Sequence, residues 1–217
     1  RKMKPSSKSI GFHKFHFMRD SKYNSRVYAL VNTEDTGYAK EVIRCLSPIA
    51  KDRILEIGCG RGFVIKKIQE TVPNTYGVDI NPEAITRGVA KNLQVMNAEH
   101  LKFDDKSFDK VFSFHTIEHV PDIKKMTSEI ERVLKPGGMA LIVYPAELIC
   151  GMFSMHAALI LLKNPFRSRE IHLHKVTPKK IQTLIENTSL KHVKSRFSLF
   201  LSSRSSLFIS PQYLTIL

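Results

Sequence analysis

Between Arg53 and Tyr144 the hydrophobic positions switch repeatedly between two periods. Short runs of β-branched and aromatic residues alternate with stretches whose apolar residues recur every three or four positions, the pattern of a parallel sheet with crossover helices. Strands are predicted at 53–57, 75–79, 93–96, 110–114 and 139–144. Helices are predicted at 63–69, with apolar Val64, Ile65 and Ile68, at 82–91, opened by Asn81 as N-cap and Pro82 in the first turn, and at 122–134, with Ile123, Met126, Ile130 and Leu134 on one face. Pro136-Gly137-Gly138 should stop that last helix. Further on, 148–162 reads as helical, 164–175 as a loop, and Thr177-Pro178 as the start of a helix to about Asn187. Two β-type runs close the chain, 190–201 and 206–209. Ahead of the sheet, Tyr38 to Leu46 has the spacing of an amphipathic helix.

The sharpest constellation is Glu56-Ile57-Gly58-Cys59-Gly60-Arg61-Gly62, placed where the first strand gives way to the first helix. In open α/β sheets ligands bind at the carboxyl ends of the strands. Glycines let the backbone turn tightly and approach a ligand, and free amides at the following helix start should favour an anionic group. Asp79 ends the second strand, where a carboxylate can accept hydrogen bonds from both hydroxyls of a ribose. A dinucleotide fingerprint requires G-x-G-x-x-G. The spacing here is G-x-G-x-G, and Glu56 would repel a pyrophosphate while suiting an ammonium group. A nicotinamide oxidoreductase is thereby disfavoured.

With Glu56-x-Gly58-x-Gly60-x-Gly62, Asp79, Asn97-Ala98-Glu99, Phe103, Ser107-Phe108-Asp109, Glu118-His119-Val120 and Arg132 through Gly138 in order, the stretch 53–144 resembles the class I S-adenosylmethionine-dependent methyltransferases. The resemblance is strongest to the branch that includes ubiquinone and menaquinone C-methyltransferases. It implies an α/β, Rossmann-like three-layer sandwich with a mostly parallel seven-stranded sheet and an antiparallel last strand. S-adenosylmethionine is the implied cofactor, S-adenosylhomocysteine the product, and Glu56, Gly58, Cys59, Gly60, Gly62, Asp79, Ile80, Asn97, Ala98, Glu99 and His115 the cofactor-side residues. The family commonly has Asp where Asn97 stands, so the adenine contact is expected to be shared by Asn97, the backbone at Ala98, and Glu99.

Composition refines the picture at its edges. With 217 residues, 42% hydrophobic, the chain can build one domain with a sizeable core. The expected division is a basic N-terminal arm with helices packed on the core over 1–45 and a methyltransferase domain over 46–217, with 145–175 as a substrate-side insertion or lid. A net charge of +14, from 34 Lys and Arg against 20 Asp and Glu, should attract anionic substrates, anionic lipid surfaces or nucleic acid. The basic excess is marked in residues 1–22. Cys45, Cys59 and Cys150 are widely spaced, which fits a reducing compartment. The expected location is cytoplasmic, peripheral to a membrane at most.

Methyl transfer from a sulfonium is an in-line displacement that depends chiefly on positioning. Where the acceptor must lose a proton, His is the side chain best suited near neutral pH. His115, at the end of the fourth strand, is the catalytic candidate. Tyr144, His172 and His174 are the substrate-side candidates. His115-Thr116-Ile117-Glu118-His119 also fits the H-x-x-E-H zinc pattern, but that pattern needs a helix. A strand precedes it and Pro121 follows almost at once, so no metal site is expected.

The run 148–162 is too short to span a bilayer and could roof a lipophilic pocket or lie on a membrane surface beside Lys163, Arg167 and Arg169. The [DNS]-P-P-[YF] motif of enzymes that methylate exocyclic base amines is absent. The expected acceptor is a small or lipid-like molecule. The alternatives are an RNA-directed methyltransferase and a non-catalytic cofactor-binding interaction domain.

Overall fold

Seven strands form one sheet in the order β3-β2-β1-β4-β5-β7-β6 in a computed structural model that describes residues 37–201 and 209–217. The strands are β1 (Ile54–Ile57), β2 (Thr75–Asp79), β3 (Leu93–Val95), β4 (Phe108–Phe114), β5 (Leu134–Pro145), β6 (Lys194–Leu201) and β7 (Ile209–Ile216). The first five are parallel, and β7 runs antiparallel to both β5 and β6. This is the α/β sandwich expected from the sequence. The order reverses at β1, which lies between β2 and β4, so the crevice beyond its carboxyl end is the natural ligand position. The expected basic arm at 1–22 lies outside the described residues.

Six α-helices are described: α1 (Tyr38–Leu46), α2 (Phe63–Ile68), α3 (Pro82–Thr86), α4 (Ile123–Val133), α5 (Met155–Leu162) and α6 (Pro178–Ile185). Strands covered on both faces must be apolar throughout, and β1 is buried along its whole length. One core joins α4 and α6 to the sheet through Met126, Ile130, Ile181 and Phe108. A second, on the opposite face, joins α1 and α2 through Val42, Leu46, Ile68 and Phe112. Side-chain caps begin three helices. Asn81 accepts from the Glu83 amide, Asp122 from those of Lys124 and Lys125, and Thr177 from that of Lys180.

Three sequence expectations are corrected. The helix predicted over 82–91 ends at Thr86, because Gly88 N bonds to Ile85 O and Val89 N to Arg61 O, which turns the chain back onto the glycine loop. Pro136-Gly137-Gly138 does not separate α4 from β5. Strand pairing begins at Leu134 opposite Phe108 and resumes at Met139 opposite Lys110, with the intervening residues as an irregularity. The last strand continues from Ile209 to Ile216, past the expected end at Ile209; the rest of the expected run, 206–208, lies outside the described residues. Pro211 hides it from pattern reading, since proline cannot donate to a ladder. Pro211 faces Leu199 of the edge strand, and its carbonyl accepts from Ala146 N.

Candidate functional site

Ionisable side chains gather at the carboxyl edge of β1, β2 and β4. Gly58, Gly60 and Gly62 all have φ between 54° and 79°. Gly58 is required by its neighbour: a Cβ there would stand 2.0 Å from Thr116 Oγ1, a side chain whose hydroxyl donates to Ile57 O. The loop's amides are largely engaged within the protein. Gly58 N and Cys59 N donate to Val78 O, Gly62 N to Cys59 O, and Gly60 N to Asp79 Oδ2. The expected amide cradle for an anion is therefore occupied by the turn itself at these four positions.

Two buried carboxylates dominate the site. Asp79 accepts from Gly60 N and Asn81 N, each at 2.8 Å; burial raises its pKa and these bonds only partly oppose the rise. Glu56 is 3% exposed, and its Oε2 has no hydrogen-bond partner. Burial, reinforced by the charge of Asp79, pushes its carboxyl well above the usual range. Burial, with the charges of the same two carboxylates, raises the Cys59 thiol and so disfavours its thiolate. Such a site disfavours a pyrophosphate and fits a ligand bearing an ammonium, a sulfonium and donor hydroxyls.

The predicted adenine-end residues form a compact turn after β3. Asn97 Oδ1 accepts from Glu99 N, Asn97 Nδ2 donates to Glu99 Oε2, and Glu99 Oε1 accepts from Asp122 N. Ala98 packs against the core, and Ile80 is half-buried directly after Asp79.

His115 lies at the end of β4 with φ of 49°, a conformation that costs a non-glycine residue energy. Its Nε2 is 2.9 Å from Tyr38 Oη and 3.1 Å from Gln212 Oε1, and its Nδ1 is 3.5 Å from Glu118 Oε1. Both ring nitrogens thus have protein neighbours, which argues for a positioning role over that of a free base. Tyr38 and Gln212 carried no sequence signal, since α1 and β7 meet β4 only in the folded chain. Burial and Glu118 raise the Tyr38 phenol.

Tyr144, expected on the substrate side, is instead fully buried. Its hydroxyl is 2.8 Å from Thr215 Oγ1, and burial pushes its pKa up to about 12. It belongs to the core because β7 covers it. His172 and His174 do approach the edge. His174 Nε2 is 3.0 Å from Val120 O, and His172 Nδ1 is 2.8 Å from Glu147 Oε1. Glu147, not selected from sequence, also accepts from Gly151 N and Phe153 N and so organises the segment after β5. Burial pushes the Glu118 carboxyl up, but contact with His115 and the charges of His119, His115 and His172 outweigh it and hold the pKa near about 2.

Comparison with known proteins agrees with this architecture. Residues 55–142 match the model of a methyltransferase domain family. The chain is 28% identical over 131 residues to the sterol 4-C-methyltransferase strm-1 of Caenorhabditis elegans, covering 47% of this chain and 39% of that protein. It is 25% identical over 138 residues to a demethylmenaquinone methyltransferase of Tropheryma whipplei, covering 59% and 57%. The chain thus spans roughly two fifths to three fifths of these relatives' lengths. A solved phosphoethanolamine N-methyltransferase 2 of Haemonchus contortus, in complex with phosphomonomethylethanolamine and S-adenosylhomocysteine, shares the fold. Its TM-score is 0.61 at 16% identity, over 83% of this chain and 52% of that one. The fold is that of the Rossmann-like α/β class. More narrowly, the chain carries a class I S-adenosylmethionine-dependent methyltransferase domain.

Proposed function

We propose that this protein binds S-adenosylmethionine across the carboxyl edge of β1 and β2 and passes its methyl group to a small or lipid-like acceptor. The observation that carries the reading is the pair of buried carboxylates, with Glu56 Oε2 lacking a partner. Glu56 receives the methionine ammonium. Asp79, already held by the Gly60, Ile80 and Asn81 amides, receives the ribose hydroxyls with its remaining acceptor capacity. Ile80, Asn97, Ala98 and Glu99 line the adenine end, and Gly58, Cys59, Gly60 and Gly62 shape the floor. The bound cofactor supplies an electrophilic methyl carbon. The protein holds donor and acceptor in line and keeps water out, work that can account for about 7–11 kcal/mol of barrier.

The segment 145–175, His172 and His174 included, forms the acceptor side in this reading, and His115 positions groups at its floor. Leu148 and Phe166 are 79% and 84% exposed, with Ile149 and Leu159 also open. Apolar surface of this kind beside Lys163 and Arg169 suits a lipophilic acceptor or an anionic membrane surface. No described helix is long and apolar enough to cross a membrane. The sterol and quinone relatives point to the same acceptor chemistry.

Incubation with methyl-labelled S-adenosylmethionine and separate sterol, polyprenyl-quinol, phospho-base and RNA pools tests the proposal. Label in an extractable lipid or small molecule is expected. Label confined to RNA, or no transfer to any pool, would contradict it.

A further inference from the structure

We propose that Glu118, His119 and His172 form a binding site for a divalent transition-metal ion such as Zn²⁺ or Mn²⁺. One potential ligand atom from each of the three lies within 4.8 Å of the other two. Glu118 is 1% exposed, and both its carboxylate oxygens lack a hydrogen-bond partner. His115 Nδ1, at 3.5 Å, is in ionic range only. A buried carboxylate without hydrogen-bond partners requires a positive charge beside it, which a protonated imidazole or, in its place, a bound cation can supply.

The two imidazoles are arranged to supply lone pairs. His119 Nδ1 is 2.8 Å from Ile171 O, and since a carbonyl only accepts, that nitrogen carries the proton and Nε2 the lone pair. His172 Nδ1 faces Glu147 Oε1 at 2.8 Å, which selects the same tautomer when the ring is neutral. Glu147 is itself fixed by two backbone amides. A ligating histidine whose other nitrogen bonds to a carbonyl or carboxylate is the usual outer-shell arrangement of metal sites. The rings stand edge to face with centroids 4.8 Å apart. Leu173 N and His174 N both donate to Glu118 O, so the backbone brings the two segments together without an ion.

Two imidazoles and one carboxylate select borderline divalent ions over Mg²⁺ or Ca²⁺ and leave coordination positions open. An acceptor oxygen or nitrogen is the class of ligand such positions take; this last clause rests on the methyl-transfer reading, whereas the metal site does not. The site also revises the sequence expectation of no metal. The helix requirement ruled out pairing His115 with His119, but the second imidazole comes from His172, 53 residues beyond His119, and no local spacing announces it.

The test uses untagged full-length protein stripped with a chelator and then titrated with Co²⁺ and Zn²⁺. Calorimetry and the visible absorption of Co²⁺ are the readouts. About one equivalent should bind with a Kd near 1 µM or tighter. Glu118→Gln and His172→Gln should each weaken binding at least tenfold, as judged on variants whose circular dichroism and cooperative urea unfolding show that they are folded. Absence of heat and Co²⁺ absorption in the parent protein overturns the proposal. So does unchanged affinity in both variants, which would locate the ion elsewhere. Because metal and S-adenosylhomocysteine binding are measured separately, loss of the cofactor reading leaves this result intact.

Discussion

Glu56 faces two opposing demands. In the free protein its buried carboxyl is destabilising once ionised, and its raised pKa expresses that. The penalty is absent below the ordinary value of 4.5 and grows as pH rises through the raised folded-state value. Glu56→Gln should therefore stabilise the ligand-free protein at pH 8, with the gain vanishing near pH 4, as followed by urea denaturation. The same variant should bind S-adenosylhomocysteine more weakly by about 1.5–3 kcal/mol, since a charged hydrogen bond to the ammonium is lost. A variant that binds as tightly as the parent would remove Glu56 from the site. Glu56 and Asp79 were legible in sequence because each sits next to a recognisable strand end. Tyr38, Glu147 and Gln212 were not, because their partners lie 77, 25 and 97 residues away along the chain.

Among the elements, the glycine loop and the turn after β4 behave as one piece. Thr116 occupies the space in which a side chain at residue 58 would stand. Gly58→Ala combines that overlap with a left-handed backbone, whose strain alone is worth about 1–3 kcal/mol. It should lower the urea midpoint with little change in the slope of the transition, and unchanged stability would mean that the two turns are not in contact. Periodicity located α1, α2, α4 and strands β1 to β4 closely, since each has a buried face and a cap or turn residue at its end. It failed at α3, where a long-range bond from Val89 to Arg61 ends the helix, and at β7, where Pro211 breaks the local pattern while partners on both sides sustain the strand.

For the molecule as a whole, the sheet order places the two carboxylates on one side of the switch point and the Glu118, His119 and His172 cluster beyond β4. The edge thus carries two chemically distinct halves, one suited to a cationic nucleoside ligand and one rich in imidazole. The central claim is that the first half is built for a sulfonium nucleoside. Calorimetric titration of S-adenosylhomocysteine and, separately, NAD into the purified protein addresses it directly. The account predicts S-adenosylhomocysteine binding with a Kd of about 1–100 µM and no detectable heat from NAD; binding of NAD alone, or of neither ligand, would contradict it.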